Sequence, residues 1–415
     1  MTRLVRLSLP LIAFFLSAGA GVGACAAQVT LLASPALTQT HLSRLTSDTS
    51  GQLWLSWVAT KAPTDEASDK PITSLHYARY ADASWSAPRQ IAEGNDWFVN
   101  WADFPVLAVH DQGMVAHWLP KSAAGTYDYD VVASFYSAPT DKWGPPVTIN
   151  QDGVNAEHGF VSMLPMPGGR TFITWLDGRN TVPVEDAEST EEQAEIAGMT
   201  LRGGIFTGEG GTLQEWELDG LTCDCCQTSA AMAAAGPIVV YRDRTETEIR
   251  DIYITRLVDG HWTVPAPVHS DNWQVAGCPV NGPSVVARDQ RVAVTWFTAK
   301  DDKPQVKLAF STDGGASFGS PIIVDEGETN GRVSLALMPA GDVAVSWLAT
   351  QGSVANIKVA RYSPQGELRD SVNVATTRAS RRSGFPVLAN VGDDLYLTWT
   401  DLTDGMQVKV AQINF

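Results

Sequence analysis

The segment Gly341–Trp347 reads GDVAVSW, in which apolar residues alternate with small or polar ones up to a terminal tryptophan. A period of two is typical of a β-strand with one buried face. Six further segments have the same pattern and also end in an aromatic residue. These aromatic residues are Trp57, Trp118, Trp175, Tyr241, Trp296 and Trp399, so that successive copies are 51 to 66 residues apart.

Each copy lies between two other short apolar segments, and several copies are followed by a fourth. Four short strands repeated at this interval predict an all-β chain folded as a single β-propeller. Seven aromatic positions favour seven four-stranded blades, with six as the alternative if one copy is an irregular extension. The last copy stops after its third strand, and we expect Gln28–Ala33 at the N-terminus to supply the fourth and close that blade. The repeated tryptophans are interpreted as core between blades.

The N-terminus has the composition of an export signal. Arg3 and Arg6 precede the apolar run Leu7–Ala20, and small residues follow it. The stretch Val22–Cys25 resembles a bacterial lipobox, which implies lipidation of Cys25, although a plain signal-peptidase cut at the same place is also open. We therefore predict a signal peptide over 1–25, a propeller over 26–415, and a location in the periplasm or, as a lipoprotein, at the outer membrane.

Charge and hydropathy restrict the partners. The 46 Asp and Glu against 29 Lys and Arg give a formal net charge of -17, which repels phosphate backbones and argues against nucleic acid. No later segment has an apolar run of membrane-spanning length, so contact with a membrane is expected through a lipid anchor alone. The protein is expected to be a monomer.

A turn-like segment carries a family resemblance. Residues 311–321, STDGGASFGSP, resemble the Asp-box (BNR repeat) of bacterial sialidases and related propellers, with Ser311, Asp313, Gly315 and Phe318 in the motif positions. Asp313 is expected to bond the backbone of its own turn, and the glycines to allow positive φ. TCDCCQT, YRDRTETEIRD and CPVNGP resemble a subgroup of exported, sialidase-like bacterial lipoproteins with a Cys-x-Cys-Cys motif. The resemblance implies a sialidase-like propeller fold.

Sialidase activity is implied less clearly, because the family's catalytic residues do not all have counterparts. Sialidases bind the substrate carboxylate with three arginines and use a Tyr–Glu pair as nucleophile and an Asp as acid/base. The early Arg-Ile-Pro signature is absent here, and Arg44 in HLSRLTS is its nearest counterpart. No Tyr–Glu pair can be assigned from the sequence, so whether the protein is an enzyme stays open.

Polar residues concentrate where first strands begin and second strands end, positions that share one rim of a propeller. Converging guanidinium groups suit a carboxylate ligand, and a neighbouring carboxyl group could act as acid or base. The alternative is that these charges form structural salt bridges. The candidates for acid/base catalysis are Asp177, Asp243 and Glu248, and those for ligand binding are Arg44, His158, Arg179, Arg242, Arg244, Asn281, Arg332 and Arg382.

Four cysteines remain if Cys25 is lipidated or removed: Cys223, Cys225, Cys226 and Cys278. Cys226 and Cys278 precede the first strands of consecutive blades, so we expect the two cysteine segments to be neighbours. In an oxidising compartment structural disulfides are favoured, with three pairings open. The alternative is a thiolate site for copper or zinc at the channel mouth. No other cofactor is predicted.

These observations favour an exported sialidase-like propeller that binds an acidic glycan or another carboxylate ligand. If it is catalytic, an exo-sialidase-like glycoside hydrolase is the expected class. Two alternatives stay open, namely a non-catalytic scaffold for envelope proteins and a metal-binding or redox propeller built around the cysteines.

Overall fold

The computed structural model describes residues 27–48, 50–63, 70–182 and 198–415. The signal segment 1–25 and the lipidation site Cys25 lie outside these residues, so both remain predictions. Within the described part of the chain, no helix is long and apolar enough to cross a membrane.

The described residues form seven separate antiparallel sheets, which confirms the predicted seven blades. Blades are numbered along the chain, and strands are given from the channel outward. Blade 1 contains Thr40–Ser47, Leu53–Lys61, Ile72–Ala81, Ser84–Trp85 and Arg89–Gly94. Blade 2 contains Leu107–His110, Gly113–Trp118, Val132–Ser137, Lys142–Trp143 and Val147–Thr148. Blade 3 contains His158–Met166, Arg170–Asp177, Met199–Phe206 and Thr212–Thr222.

The remaining four blades repeat this order. Blade 4 contains Ser229–Met232, Pro237–Arg242, Ile252–Val258, His261–Trp262 and Ala266–His269. Blade 5 contains Ser284–Arg288, Arg291–Thr298, Gln305–Ser311 and Ile322–Glu326. Blade 6 contains Thr329–Leu337, Val343–Gln351, Val354–Tyr362 and Leu368–Arg378. Blade 7 contains Val387–Val391, Asp394–Asp401, Gln407–Asn414 and Gln28–Leu32. Three short 3-10 turns lie at Arg179–Thr181, Lys300–Asp302 and Arg381–Ser383.

The ring is closed by its two chain ends. Gln28–Leu32 pairs antiparallel with Gln407–Asn414, with Gln28 opposite Asn414, as the sequence predicted. The innermost strands of neighbouring blades contact each other all the way round, and the last contact joins Thr40–Ser47 to Val387–Val391. Tying the N-terminal strand to the last blade leaves that sheet no unpaired third strand.

The repeated aromatic residues form the core between blades, as predicted. Trp175, Tyr241 and Trp296 are fully buried. Trp296 of blade 5 packs in one cluster with Val240 and Ile254 of blade 4. A large ring every 51 to 66 residues therefore fills the wedge between adjacent sheets, and burial of its apolar surface is the driving force for stacking the blades.

The Asp-box turn has the expected local structure. Asp313 accepts hydrogen bonds from the Ser317 backbone N–H at 2.9 Å and from the Ser311 hydroxyl at 2.7 Å. Gly315 has a φ of 84°, and the ring of Phe318 packs against the core cluster of blades 4 and 5. Bonding to Ser317 lowers the pKa of Asp313 to about 2. The motif therefore stabilises the turn that follows the third strand of blade 5. It contributes no side chain to the rim at which the innermost strands begin.

Candidate functional site

Each innermost strand begins at the rim where the second strand of its blade ends, because the strands alternate in direction. At this rim between blades 3, 4 and 5 lies the four-cysteine cluster, which we define as Cys223, Cys225, Cys226 and Cys278. The Cys223 Sγ atom lies 3.3 Å from Cys226 Sγ and 3.9 Å from Cys225 Sγ. The three sulfur atoms lie within 4.8 Å of one another. Cys278 lies outside this group of three but interacts with Cys225, so the two cysteine segments are neighbours as predicted.

None of the cysteines that the structure describes forms a disulfide. Cys223 and Cys226 are buried, Cys225 is half-buried and Cys278 is exposed. The cluster thus has a closed inner end and one thiol facing solvent. The predicted disulfide pairing remains a prediction for the oxidised protein.

Arginine side chains surround the buried end of the cluster. Arg250 Nη1 donates a hydrogen bond to Cys223 Sγ at 3.3 Å, and Arg250 Nη2 donates to Glu248 Oε2 at 2.8 Å. The other oxygen of Glu248 accepts from Arg244 Nη2 at 2.7 Å, and Arg244 also pairs with Asp224 at 3.4 Å. One carboxylate therefore fixes two guanidinium groups, one of which points at a sulfur atom.

This environment separates the acidities of the thiols. Hydrogen bonding with Cys225 and Cys226, together with the charge of Arg242, holds the pKa of Cys223 well below its ordinary value. Burial raises the pKa of Cys226 to about 12. The interaction with Cys225 lowers the pKa of Cys278. Cys223 and Cys278 therefore lose their protons more readily than Cys226 does, and the thiolate is the form that binds metals and attacks electrophiles.

Three predicted ligand-binding arginines are bound to protein groups instead. Arg242 is 1% exposed and donates four hydrogen bonds to the backbone carbonyls of Asn281, Arg250 and Phe297. Arg332 is also buried, and its Nη1 atom donates to Ser383 Oγ at 2.9 Å and to two carbonyls of the same turn. Arg179 pairs with Asp177 at 2.7 Å and Asp152 at 3.2 Å. These contacts favour the structural alternative, in which the arginines brace adjacent blades.

Two of the three predicted acid/base carboxylates, Asp177 and Glu248, are held in ion pairs with arginine side chains. Asp177 is fully buried and accepts from Trp175 Nε1 and from the Arg179 guanidinium, which with other hydrogen bonds lower its pKa against the cost of burial. Glu248 is held between Arg244 and Arg250, which lower its pKa although burial opposes them. Asp243 lies beside Asp219 between blades 3 and 4, and burial raises its pKa to about 7. Ionised, paired carboxylates such as the first two do not transfer protons readily near neutral pH.

The remaining candidates divide between buried and open positions. His158 is fully buried, with Nε2 2.9 Å from Asp152 Oδ2 and 3.6 Å from Asp177 Oδ1. These three side chains could in principle surround a metal ion, but Arg179 already pairs with both carboxylates. Asn281 accepts the Arg332 backbone N–H at 2.7 Å. Arg382 is exposed, whereas the Arg44 guanidinium lies over the Phe104 ring at 4.5 Å inside the channel.

Sequence reasoning did not identify a buried tyrosine between two carboxyl groups. The Tyr129 hydroxyl lies 2.9 Å from both Asp103 Oδ2 and Glu157 Oε1. Burial raises the pKa of Asp103 to about 7 and that of Glu157 to about 8. The phenol has one proton, so it can donate to one carboxylate while the other carboxyl group, protonated, donates to the phenol oxygen. Glu157, which is part-exposed at the rim, is therefore a carboxylic acid at neutral pH.

Comparisons with known proteins identify no family for this chain. No protein-family model matches the sequence, and no curated protein matches it. A protein of unknown function from Dyadobacter fermentans aligns over 94% of this chain and 99% of its own, with 10% identity and a TM-score of 0.47. The NanB sialidase of Streptococcus pneumoniae aligns over 92% and 70%, with 12% identity and a TM-score of 0.47. The intramolecular trans-sialidase of Ruminococcus gnavus aligns over 89% and 94%, with 10% identity and a TM-score of 0.42. These likenesses concern the propeller architecture and say nothing of this chain's ligand.

Proposed function

We propose that the protein binds a thiophilic metal ion, Zn²⁺ or Cu⁺, through the four-cysteine cluster at the rim of blades 3 to 5. One observation carries the proposal: the sulfur atoms of Cys223, Cys225 and Cys226 lie within 4.8 Å of one another, and Cys278 of a separate segment interacts with Cys225 at the edge of this group. Soft thiolate ligands select these two ions over Mg²⁺ or Ca²⁺.

The sulfur spacing fits a metal better than a disulfide. A tetrahedral site with Zn–S bonds of about 2.3 Å has S–S edges of about 3.8 Å. The two Sγ–Sγ distances, 3.3 Å and 3.9 Å, lie on either side of that value. A disulfide would need about 2.05 Å. Cys223 and Cys226 are also separated by two residues, the spacing common in structural zinc sites.

The charges around the cluster suit a thiolate centre. Four thiolates around Zn²⁺ carry a net charge of about −2, and burying that charge is costly without partners. Arg250 donates directly to Cys223 Sγ, and Arg244 lies one carboxylate away. Hydrogen bonds of this kind orient ligands and tune the metal. The exposed thiol of Cys278 offers a path for exchanging the ion with solvent or with a partner.

The test is a competition titration of the reduced full chain against a chromophoric chelator of Zn²⁺ or Cu⁺. We expect one equivalent to bind per chain, and Cys223→Ser and Cys278→Ser each to weaken binding at least tenfold. The matched control is Cys25→Ser in the unprocessed chain, in which Cys25 carries no lipid and is the one cysteine outside the cluster. Unchanged affinity in both cluster variants, or zero binding by the reduced wild type, would contradict the proposal.

A second candidate, an acidic glycan ligand, is favoured by one observation. Glu157 combines part exposure at the rim with a pKa raised to about 8 by burial, as a general acid for glycoside hydrolysis requires. The exposed Arg382 could meet a ligand carboxylate. Turnover of a fluorogenic sialoside that is lost in Glu157→Gln and kept in Glu326→Gln, an exposed acid of blade 5, would support it. No turnover and no binding of acidic glycans would end it.

We also propose the setting in which either activity operates. Export and a lipid anchor at Cys25 would bring the cluster into the periplasm or to the outer membrane. There the thiols need protection from oxidation, which a bound ion provides. A free-thiol count on periplasmic protein distinguishes this state from a disulfide staple, and pull-down from envelope extracts tests the scaffold alternative.

A further inference from the structure

The channel of the propeller contains a small chamber that is lined by one arginine and several hydroxyl groups. It lies between the innermost strands of the blades, and its volume is about 50 Å³. Since one water needs roughly 10–15 Å³ of such volume, it holds about four waters or one small ion. Six of the lining residues carry the argument: Arg44, Phe104, Gln227, Ser229, Ser284 and Ser334.

Arg44 brings an uncompensated charge to this chamber. Its guanidinium group stacks on Phe104 at 4.5 Å. Among the described residues, no hydrogen bond or ion pair of that group is found, and no carboxylate lines the chamber. Burial lowers the pKa of Arg44 to about 10, so the group is still a cation at neutral pH. Arg44 is half-buried, and a partly buried cation without an anionic partner is costly, so proteins normally pair it.

Three serines on consecutive blades line the same chamber. Ser229 Oγ accepts from the Val285 backbone N–H, Ser284 Oγ from Leu335, and Ser334 Oγ from Leu388, each at 3.1 Å. These three hydrogen bonds link the innermost strands of blades 4 to 5, 5 to 6 and 6 to 7. Because each oxygen is used as an acceptor, its proton is left to donate, and among the described residues no acceptor for it is found.

The other polar groups of the chamber are already satisfied. Gln227 donates through Nε2 to the Ala102 carbonyl at 2.6 Å and accepts through Oε1 from the Gly282 backbone at 3.0 Å. The titratable neighbour His117 has a pKa of about 3, lowered by burial and by the charge of Arg44, and adds no charge. The chamber therefore presents one positive charge and several donors.

From this lining we propose that the chamber binds one small monovalent anion, either chloride or a carboxylate of one or two carbons. Arg44 neutralises its charge, and the hydroxyl groups of Ser229, Ser284 and Ser334 donate to it. The site is separate from the four-cysteine cluster and does not depend on a metal there. Its occupant links the innermost strands of blades 1, 4, 5 and 6.

The test compares the melting temperature of the full chain in chloride, formate and acetate with that in gluconate, at equal ionic strength. Gluconate, with six carbons and five hydroxyl groups, is the bulkiest of the four anions and serves as the reference. At an anion concentration of ~100 times Kd, the expected saturating rise is about 3 °C for a chain of this size. A rise in chloride alone identifies a halide site, and a rise in formate or acetate identifies a carboxylate site.

Arg44→Met supplies the decisive comparison, with the exposed Arg79→Met as its matched control. We expect Arg44→Met to lose the anion response and to melt higher than wild type in gluconate, because the unpaired charge is gone. The control keeps the response. An equal response in Arg44→Met and wild type, or no response in wild type, would overturn the proposal.

A measurement on wild type alone covers the case in which Arg44→Met does not fold. Bound chloride broadens the ³⁵Cl NMR line, and a competing small anion removes the broadening. We expect excess broadening that formate or acetate displaces and gluconate does not. Absence of displaceable broadening, combined with no rise in melting temperature in formate or acetate, would overturn the proposal.

Discussion

Arg242→Met separates a structural arginine from a ligand-binding one. The substitution keeps most of the aliphatic stem but removes the guanidinium group. That group donates to Asn281 O at 3.1 and 2.8 Å, to Arg250 O at 2.6 Å and to Phe297 O at 2.7 Å. It also lies 5.1 Å from the Trp273 ring centre. Blades 4 and 5 thus lose the hydrogen bonds that this guanidinium group makes to both of them.

The magnitude follows from the groups left behind. Three buried carbonyls lose their donor, and each costs about 1–3 kcal/mol when unsatisfied. Losing the cation–π contact costs roughly 0.5–2 kcal/mol. Relief from no longer burying a charge offsets part of this total. We therefore expect the free energy of unfolding to fall by about 3–5 kcal/mol, the range found when one partner of a buried charged contact is removed.

Urea unfolding followed by tryptophan fluorescence measures this change. Arg382→Met is the control, because Arg382 is exposed and donates only to Met406 Sδ at 3.7 Å among the described contacts of its guanidinium. That control should stay within about 0.5 kcal/mol of wild type. A drop below ~1 kcal/mol in Arg242→Met would falsify the structural assignment and return Arg242 to the ligand-binding candidates.

Three further predictions concern other parts of the rim. Burial raises the pKa values of Asp103 and Glu157 to about 7 and about 8, so the folded protein holds more protons than the unfolded chain above about pH 4. Their stabilising effect is therefore full in acid and lost as the pH rises through 7 and 8. The urea concentration at the unfolding midpoint should fall between about pH 5 and about pH 9, and it should fall less in Asp103→Asn. Gly282→Ala places a Cβ 2.0 Å from the Gln227 carbonyl oxygen and should cost roughly 1–3 kcal/mol by denaturation. Gly220→Ala, where the nearest atom is 3.7 Å away, should cost no more than ~1 kcal/mol, and equal losses in the two would refute the steric argument. Arg250→Met should weaken metal binding about 10–100-fold in the chelator competition while Arg256→Met does not, since Arg250 alone of the two donates to Cys223.

The fold was predictable because it depends on a repeated local pattern. A period-two strand that ends in a large aromatic residue recurs seven times. A single blade cannot bury such a residue, for example Trp296 or Trp347, without a neighbouring blade. The missing fourth strand of the last blade predicted Gln28–Ala33, of which Gln28–Leu32 forms that strand. Both inferences depend only on the number of residues between repeated segments, which can be read directly from the sequence.

The individual roles of rim residues were not predictable in the same way. A loop sequence such as YRDRTETEIRD does not reveal which arginine turns inward, and Arg242 is buried while Arg244 is part-exposed two residues later. Tyr129 had no motif to mark it. Its partners Asp103 and Glu157 are 26 and 28 residues away, and the contact forms when blades 2 and 3 pack together.

The cysteines were an intermediate case. The proximity of the two cysteine segments followed from the blade repeat. The choice between a disulfide and a metal site depended on the sulfur positions and on the contact of Arg250 with Cys223, neither of which can be read from the sequence. The separation of Cys223 and Cys226 by two residues was a signal for the metal alternative, although Cys225 lies between them.

X-ray absorption at the metal edge tests the central claim most directly. The protein is purified without oxidant or chelator, loaded with one equivalent of Zn²⁺ or Cu⁺, and compared with Cys278→Ser and Cys25→Ser. The account predicts a first shell of sulfur at about 2.3 Å in wild type and Cys25→Ser, with one sulfur fewer in Cys278→Ser. A first shell of nitrogen or oxygen in wild type, or an unchanged shell in Cys278→Ser, would contradict it.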